Sequence, residues 1–297
     1  MLKLTNSNLS DQTQQHLQKK QGKINIHTNF TAKTKRAKLL WDSKRGDAQK
    51  YPNNVGNVAF TEIKNTLLTM CIGVEVCNYC EQNEATDIEH IEPKSFFPEK
   101  TFDWQNYLLA CRTCNTDHKS DKMYVFDTTN TNNPILLVRN TPPPPSQIAF
   151  INPRTENPMD FMKLNLFDFQ FYAIHPPNTQ AHQNAEKTLE ILQLNNRRTL
   201  IHNRKHAFDY YKRLLREYVA VKNATTHQQL EQALDGHPPI DNNAPFEPQQ
   251  QQILTALKQN FKKSEHATVW YEIIRQQHTL SNQIQQHLQQ APELSIS

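Results

Sequence analysis

The chain has 297 residues, few glycines, modest apolar content and a net charge of +4. That length builds one large domain or two ordinary ones, and the glycine-poor composition favours a mostly helical soluble protein over a doubly wound nucleotide binder. No GxGxxG or GxxxxGK[ST] stretch is present, so phosphate binding by those loops is excluded.

The charge is uneven. Residues 1–60 hold eleven Lys or Arg against three Asp, leaving the rest of the chain net acidic. A basic leading segment suits a polyanion through phosphate contacts and counterion release. Its densest run, TAKTKRAKLLWDSKR, contributes Lys35, Arg36 and Lys38 as candidate nucleic-acid contacts, against the plainer reading of a solvated helix face. The opening MLKLTNSNLSDQTQQ lacks the apolar core of a signal peptide, and LLTMCIGVEVC is too short and too interrupted to span a bilayer. A cytoplasmic location and no membrane partner are therefore expected.

Next come two CxxC pairs, Cys77/Cys80 and Cys111/Cys114, thirty residues apart. In a cytosolic chain that pattern reads as a tetrahedral four-thiolate zinc site. Redox use of one pair is the competitor, and it leaves the second pair unexplained. Cys71, in an apolar stretch, reads as a small hydrophobe.

Between the knuckles lies DIEHIEPKS (87–95). ATDIEHIE alternates as a short strand that Pro93 limits. SFFPEKTFDW reads as a loop with aromatic anchors, and NYLLAC as a second strand. CRTCNTDHKSDK then begins a helix in which Asn115, His118 and Lys119 share a face. The unit is strand, strand, helix, with polar groups converging at one end.

In that order these motifs resemble the HNH endonucleases and their ββα-metal fold. The match runs through Cys77 and Cys80, Glu89-His90-Ile91-Glu92-Pro93, Asn106, and Cys111, Cys114 and Asn115, over roughly residues 75–122. The resemblance implies His90 as the general base that deprotonates water and Glu89 as a carboxylate ligand of a catalytic ion. It implies Asn106 as the residue that ties the loop to the first strand, and Asn115 as a ligand at the head of the helix with His118 beside it. The catalytic metal it implies is Mg²⁺ or Mn²⁺, distinct from the zinc. Two departures stand out. The acid before the histidine is Glu89 where the family more often has Asp, which leaves Asp87 and Glu92 as rival ligands. The position three after the helix Asn is His118, a further candidate ligand of the catalytic ion against the plainer reading of a partly exposed helix histidine, and the lysine follows one later. Lys119 and Lys122 are candidate phosphate contacts, each with a solvated alternative. The chemistry is coherent, because a neutral imidazole accepts a proton near pH 7 and hard oxygen ligands suit Mg²⁺ or Mn²⁺.

Downstream, TPPPPSQ (141–147) reads as a rigid polyproline spacer, and residues 150–171 as strands or irregular packing segments. AEKTLEILQLNN places Leu189, Leu192 and Leu194 near helical spacing. The following run sets Leu200, Ile201, His206, Phe208, Tyr211, Leu214, Leu215 and Val219 on one broad stripe. Two more helices are expected, near 248–262 and 266–290. The domain reading is a basic segment (1–60), a nuclease unit (61–140), a linker and packing segment (141–178) and a helical region (179–297). The expected class is α+β, mostly α: a zinc-stabilised ββα-metal (HNH) nuclease unit with a helical C-terminal region.

A looser, longer resemblance joins the basic segment, EHIEPKS, FDWQNYLLAC, an INP stretch and LQLNNRRTLIHNR. This order is similar to the HNH nucleases of Septu-type and related retron anti-phage systems, and it implies an ATPase partner that regulates the nuclease. DNA is the leading substrate. RNA, site-specific restriction and a non-catalytic zinc-knuckle binder are the alternatives; the last has no need for Glu89, His90, Asn106 and Asn115 together.

Overall fold

The computed structural model describes residues 1–72, 74–127 and 130–295, with the backbone alone at 130–132. The chain divides into two compact units, Met1–Lys163 with Phe171–Asn196, and Leu164–Gln170 with Arg197–Ser297.

In the first unit the basic segment folds as helices α1 (Asp11–Asn25) and α2 (Phe30–Asp42), followed by α3 (Val55–Thr69). Each begins at a side chain that accepts from the first turn: Ser10, Asn29 and Asn54. Glu62 of α3 accepts from the Ser10 and Thr13 hydroxyls, which pins α1 to α3. The turn after α2 is held as closely. Arg45 donates to Asn57 Oδ1 (2.8 Å) and to the Phe60 carbonyl (3.0 Å). A Cβ at Gly56 would lie 2.5 Å from the Lys44 carbonyl, so only glycine permits this approach. These contacts fix the direction of α2, and α3 packs on the strand pair that follows.

That pair is β1 (Asp87–His90) and β2 (Tyr107–Ala110), antiparallel, with His90 opposite Tyr107 and Glu89 opposite Leu108. All four residues of β2 are buried, so it is the spine of the unit's core. The helical turn Thr113–Lys119 follows. A three-stranded antiparallel sheet, β4 (Asn130–Leu136), β3 (Tyr124–Asp127) and β5 (Ser146–Ile148), lies beyond it. The pair β6 (Met162–Leu164) and β7 (Phe171–Ala173) and helix α4 (Gln180–Leu192) complete the order. The fold is α+β and mostly helical, as the composition implies.

The second unit is helical: α5 (Arg198–Asn223), α6 (His227–Ala233), α7 (Phe246–Lys263), α8 (Ala267–Arg275) and α9 (Asn282–Gln290). Its centre is an aromatic cluster in which Phe261 and Trp270 lie 4.4 Å apart, with Tyr211 against both. Two sequence expectations change here. The helix expected over 266–290 is two helices, because Gln277–Thr279 tightens into a 3₁₀ turn before α9 restarts after Ser281. On α5 the buried stripe runs through Leu200, Arg204, Ala207, Tyr211 and Leu214, while His206 is exposed. Arg204 is accommodated because its guanidinium donates to the Phe169 carbonyl at 3.0 Å. Among the described residues, no helix is long and apolar enough to cross a membrane.

Candidate metal centre and active site

The four knuckle cysteines come together in the first unit. All are buried, and their sulfur atoms lie within 4.8 Å of one another. Cys80 and Cys111 are 3.9 Å apart. Thiolates at ~2.3 Å from a tetrahedral zinc sit roughly 3.8 Å apart, so the spacing fits. Cys111 Sγ also accepts from the Cys114 amide (3.4 Å) and from Asn83 Nδ2 (3.6 Å), donors that favour a thiolate. The first knuckle is docked on β2, where the Asn78 amide and side chain both donate to the Leu109 carbonyl at 3.0 Å. The cluster suits a structural zinc. Cys71 stands apart at the end of α3; it is half-buried, its thiol is pushed up to about 11 by burial, and it contacts the Leu67 carbonyl.

Beside this cluster, β1 carries Glu89 and His90 to the floor of a cleft of ≈ 680 Å³. His90 is 5% exposed. Its Nε2 lies 2.9 Å from the Thr101 carbonyl. A carbonyl only accepts, so Nε2 carries the proton and Nδ1 keeps its lone pair. Trp41 of α2 packs edge-on against the ring at 4.2 Å. Burial, then the charge of Lys94, hold the imidazole well below its ordinary pKa, so it is neutral at pH 7.

Glu89 is also buried. Lys119 Nζ lies 2.5 Å from its Oε1 and donates to the His90 carbonyl at 2.8 Å. Burial raises the Glu89 carboxyl above its ordinary pKa, against the pull of Lys119. Lys119 itself is fully buried. The expectation of a solvent-facing phosphate contact at Lys119 therefore gives way to an internal counter-ion.

Thr113–Lys119 is a π-helix, not an α-helix, and the Ser120 amide reaches the Asn115 carbonyl at 2.6 Å. In that wider turn Asn115 and Lys119, four residues apart, stay near one face, and both reach β1: Asn115 at Asp87 and Lys119 at Glu89. Asn115, Thr116 and Ser120 line the cleft, Lys119 is buried, and half-buried His118 is not among the lining residues. Asn115 Nδ2 donates to Asp87 Oδ2 at 3.0 Å, which leaves the amide oxygen to offer. Of the rival carboxylates, Asp87 thus orients Asn115, and Glu92 is tied to Lys100 at 2.5 Å.

Asn106 closes the loop between the strands. Its Oδ1 accepts from the Glu92 amide (2.7 Å), and its Nδ2 donates to the carbonyls of Glu92 (2.9 Å) and Lys100 (3.1 Å). One side chain thus replaces three missing backbone bonds and fixes the loop that presents Thr101.

The cleft wall carries both signs: Lys35, Lys38, Lys94 and Arg139 line it together with Asp42 and Asp121, which pair with Lys38 and Arg139. Arg36 is on another side of α2, where its charge bears on Lys20 of α1; exposed Lys122 is not a cleft residue. Sequence reasoning missed Trp41, Lys94 and Arg139 as cleft residues. Trp41 and Lys94 lie within stretches already singled out, whereas Arg139 has no local signal.

Neither the curated proteins nor the solved structures contain a match to the chain. Over residues 77–121, from the first knuckle cysteine to two residues past the π-turn, the chain matches the family model described as HNH endonuclease, a nuclease domain that the geometry of these residues fits.

Proposed function

We propose that the chain is a metal-dependent endonuclease that hydrolyses phosphodiester bonds of DNA, with His90 as general base. The observation that carries this reading is the tautomer. With Nε2–H committed to the Thr101 carbonyl, Nδ1 is left as the proton acceptor on the floor of a cleft that Lys35 and Lys94 also line. His90 takes the proton of the attacking water at Nδ1, and the bond to Thr101 keeps the ring from rotating as it does so. Burial disfavours the imidazolium, which keeps the resting ring neutral and its Nδ1 lone pair free.

Glu89 and Asn115 are the residues that would hold a catalytic divalent ion. A carboxylate and an amide oxygen form a hard donor pair, which fits Mg²⁺ or Mn²⁺. When bound, such an ion supplies charge neutralisation at the scissile phosphate. Lys119 takes one oxygen of Glu89 and compensates its burial. Lys35 and Lys38 engage flanking phosphates.

The proposal extends to biology: an effector nuclease of an anti-phage defence system, regulated by an ATPase partner. Its support is the motif order along the chain, from the basic segment through EHIEPKS to LQLNNRRTLIHNR. In this reading the helical second unit docks the partner.

The test is cleavage of supercoiled plasmid with Mg²⁺ or Mn²⁺, with RNA of matching sequence in parallel and with the candidate ATPase added in a separate arm. Nicking or linearisation that EDTA stops is expected. Cleavage of RNA alone would overturn the substrate, and silence in every arm would overturn the activity.

A further inference from the structure

Arg154, in the INPR stretch outside residues 77–121, is fully buried. Its Nη1 donates to the carbonyls of Tyr107 (2.6 Å) and Trp104 (3.2 Å), and its Nη2 to Gln105 Oε1 (3.1 Å). Nε donates to Asn6 Oδ1 at 2.7 Å, and the guanidinium lies over the Trp104 ring at 4.6 Å. None of these acceptors is a carboxylate. Burying a cation among neutral acceptors is costly, and an apolar side chain of similar volume would fill the space without that cost. What an apolar side chain cannot do is grip two carbonyls that flank Asn106.

The gripped turn leads to the imidazole by a short route. Tyr107 is the residue opposite His90 in the strand pair. Its hydroxyl donates to the Thr101 carbonyl at 2.6 Å, and that same oxygen accepts the His90 Nε2 proton at 2.9 Å. A carbonyl has two lone pairs, so both donors seat on it together. The Ile91 amide, next to His90, bonds the Asn106 carbonyl at 2.9 Å. Arg154 is itself fixed from the N-terminal side: Asn6 Nδ2 bonds its carbonyl, and the Leu4 amide bonds that of Pro153.

We propose that Arg154 is a positioning residue for the general base, holding the Trp104–Tyr107 turn so that the Tyr107 hydroxyl and the His90 imidazole share the Thr101 carbonyl. The inference rests on the reading of His90 as the base. It places part of the active-site machinery more than thirty residues beyond the matched nuclease stretch. A guanidinium fork is required, since a lysine carries the charge without the multiple parallel donors.

The experiment compares wild type, Arg154→Gln, Arg154→Lys and Tyr107→Phe in the full chain. The readouts are kcat and KM on plasmid, zinc content, and the slowly exchanging His90 Nε2–H signal in imidazole ¹⁵N NMR, assigned by its loss in His90→Gln. Expected is a kcat lowered about tenfold or more in both Arg154 variants, since small misplacements of a reacting group are expensive. KM should stay within about twofold. Zinc should be retained, and the His90 signal should broaden or vanish in all three variants. A folded Arg154→Gln with wild-type kcat and an unchanged signal overturns the proposal. So does a raised KM at unchanged kcat, which would make Arg154 a binding residue. If Arg154→Gln does not fold, Tyr107→Phe decides: a wild-type signal and kcat there reject the link. Should wild type cut nothing, the nuclease reading fails while the imidazole signal still tests the link on its own.

Discussion

Cys77, Cys80, Cys111 and Cys114 bring four identical atoms within 4.8 Å of one another, whereas Glu89, His90 and Asn115 bring three different groups to one cleft. Each of the three is tied to its own partner: Lys119, the Thr101 carbonyl and Asp87. In the thiol cluster the ligands are interchangeable, and two short turns on adjacent elements suffice to assemble them. The cleft needs each group in one orientation, so it depends on a further set of residues that never face the substrate. The zinc cluster is specified by spacing, and the proposed catalytic site by its supports.

The largest effect should follow from breaking the thiol cluster. Cys111→Ser is expected to lose the zinc and lower the melting temperature by about 10 °C or more, because structural zinc binding is folding energy. Metal analysis and calorimetry check this, and a variant that melts like wild type with full zinc would contradict it. Next is the buried ion pair. Lys119→Met leaves Glu89 uncompensated and should cost roughly 3–5 kcal/mol in urea unfolding, and Glu89→Gln added to it should recover much of the loss. Equal stability of the single and double variants would mean that Lys119 does not neutralise Glu89. Asn106→Ala removes three bonds to the loop and should cost about 2–3 kcal/mol, with zinc unaffected. Loss of zinc in that variant would show that the two clusters are not independently built. The smallest effect is on the rim. Lys35→Glu with Lys38→Glu should weaken DNA binding and reduce the salt slope by about two, and Arg36→Glu should do less. Equal effects would remove the cleft from the binding surface.

The same contrast explains what could be read in the sequence. The knuckles and the strand pair are legible because their residues are close in the chain and their types are rare together, whereas Asn106, in an Asn-rich chain, is singled out by the resemblance alone. The strand reading of NYLLAC falls on β2, and ATDIEHIE on β1. The π-turn was not visible. Nothing in CRTCNTDHKSDK marks an i→i+5 turn, and nothing in it shows that Lys119 is buried against Glu89. Trp41 was hidden for another reason. It sits in the basic run of α2, and its place against His90 depends on the turn after α2 that packs on Gly56 of α3, not on local sequence. Arg154 lies far along the chain among turn residues, and only the fold shows which carbonyls it holds.

The measurement closest to the central claim is metal-dependent plasmid cleavage by wild type and His90→Ala, each first shown to be folded and to hold zinc. Loss of the general base should lower the rate by about 10²–10⁴-fold with zinc and thermal stability preserved. A folded, zinc-loaded His90→Ala that cuts at the wild-type rate would contradict the account, because the atom that carries it would then be dispensable.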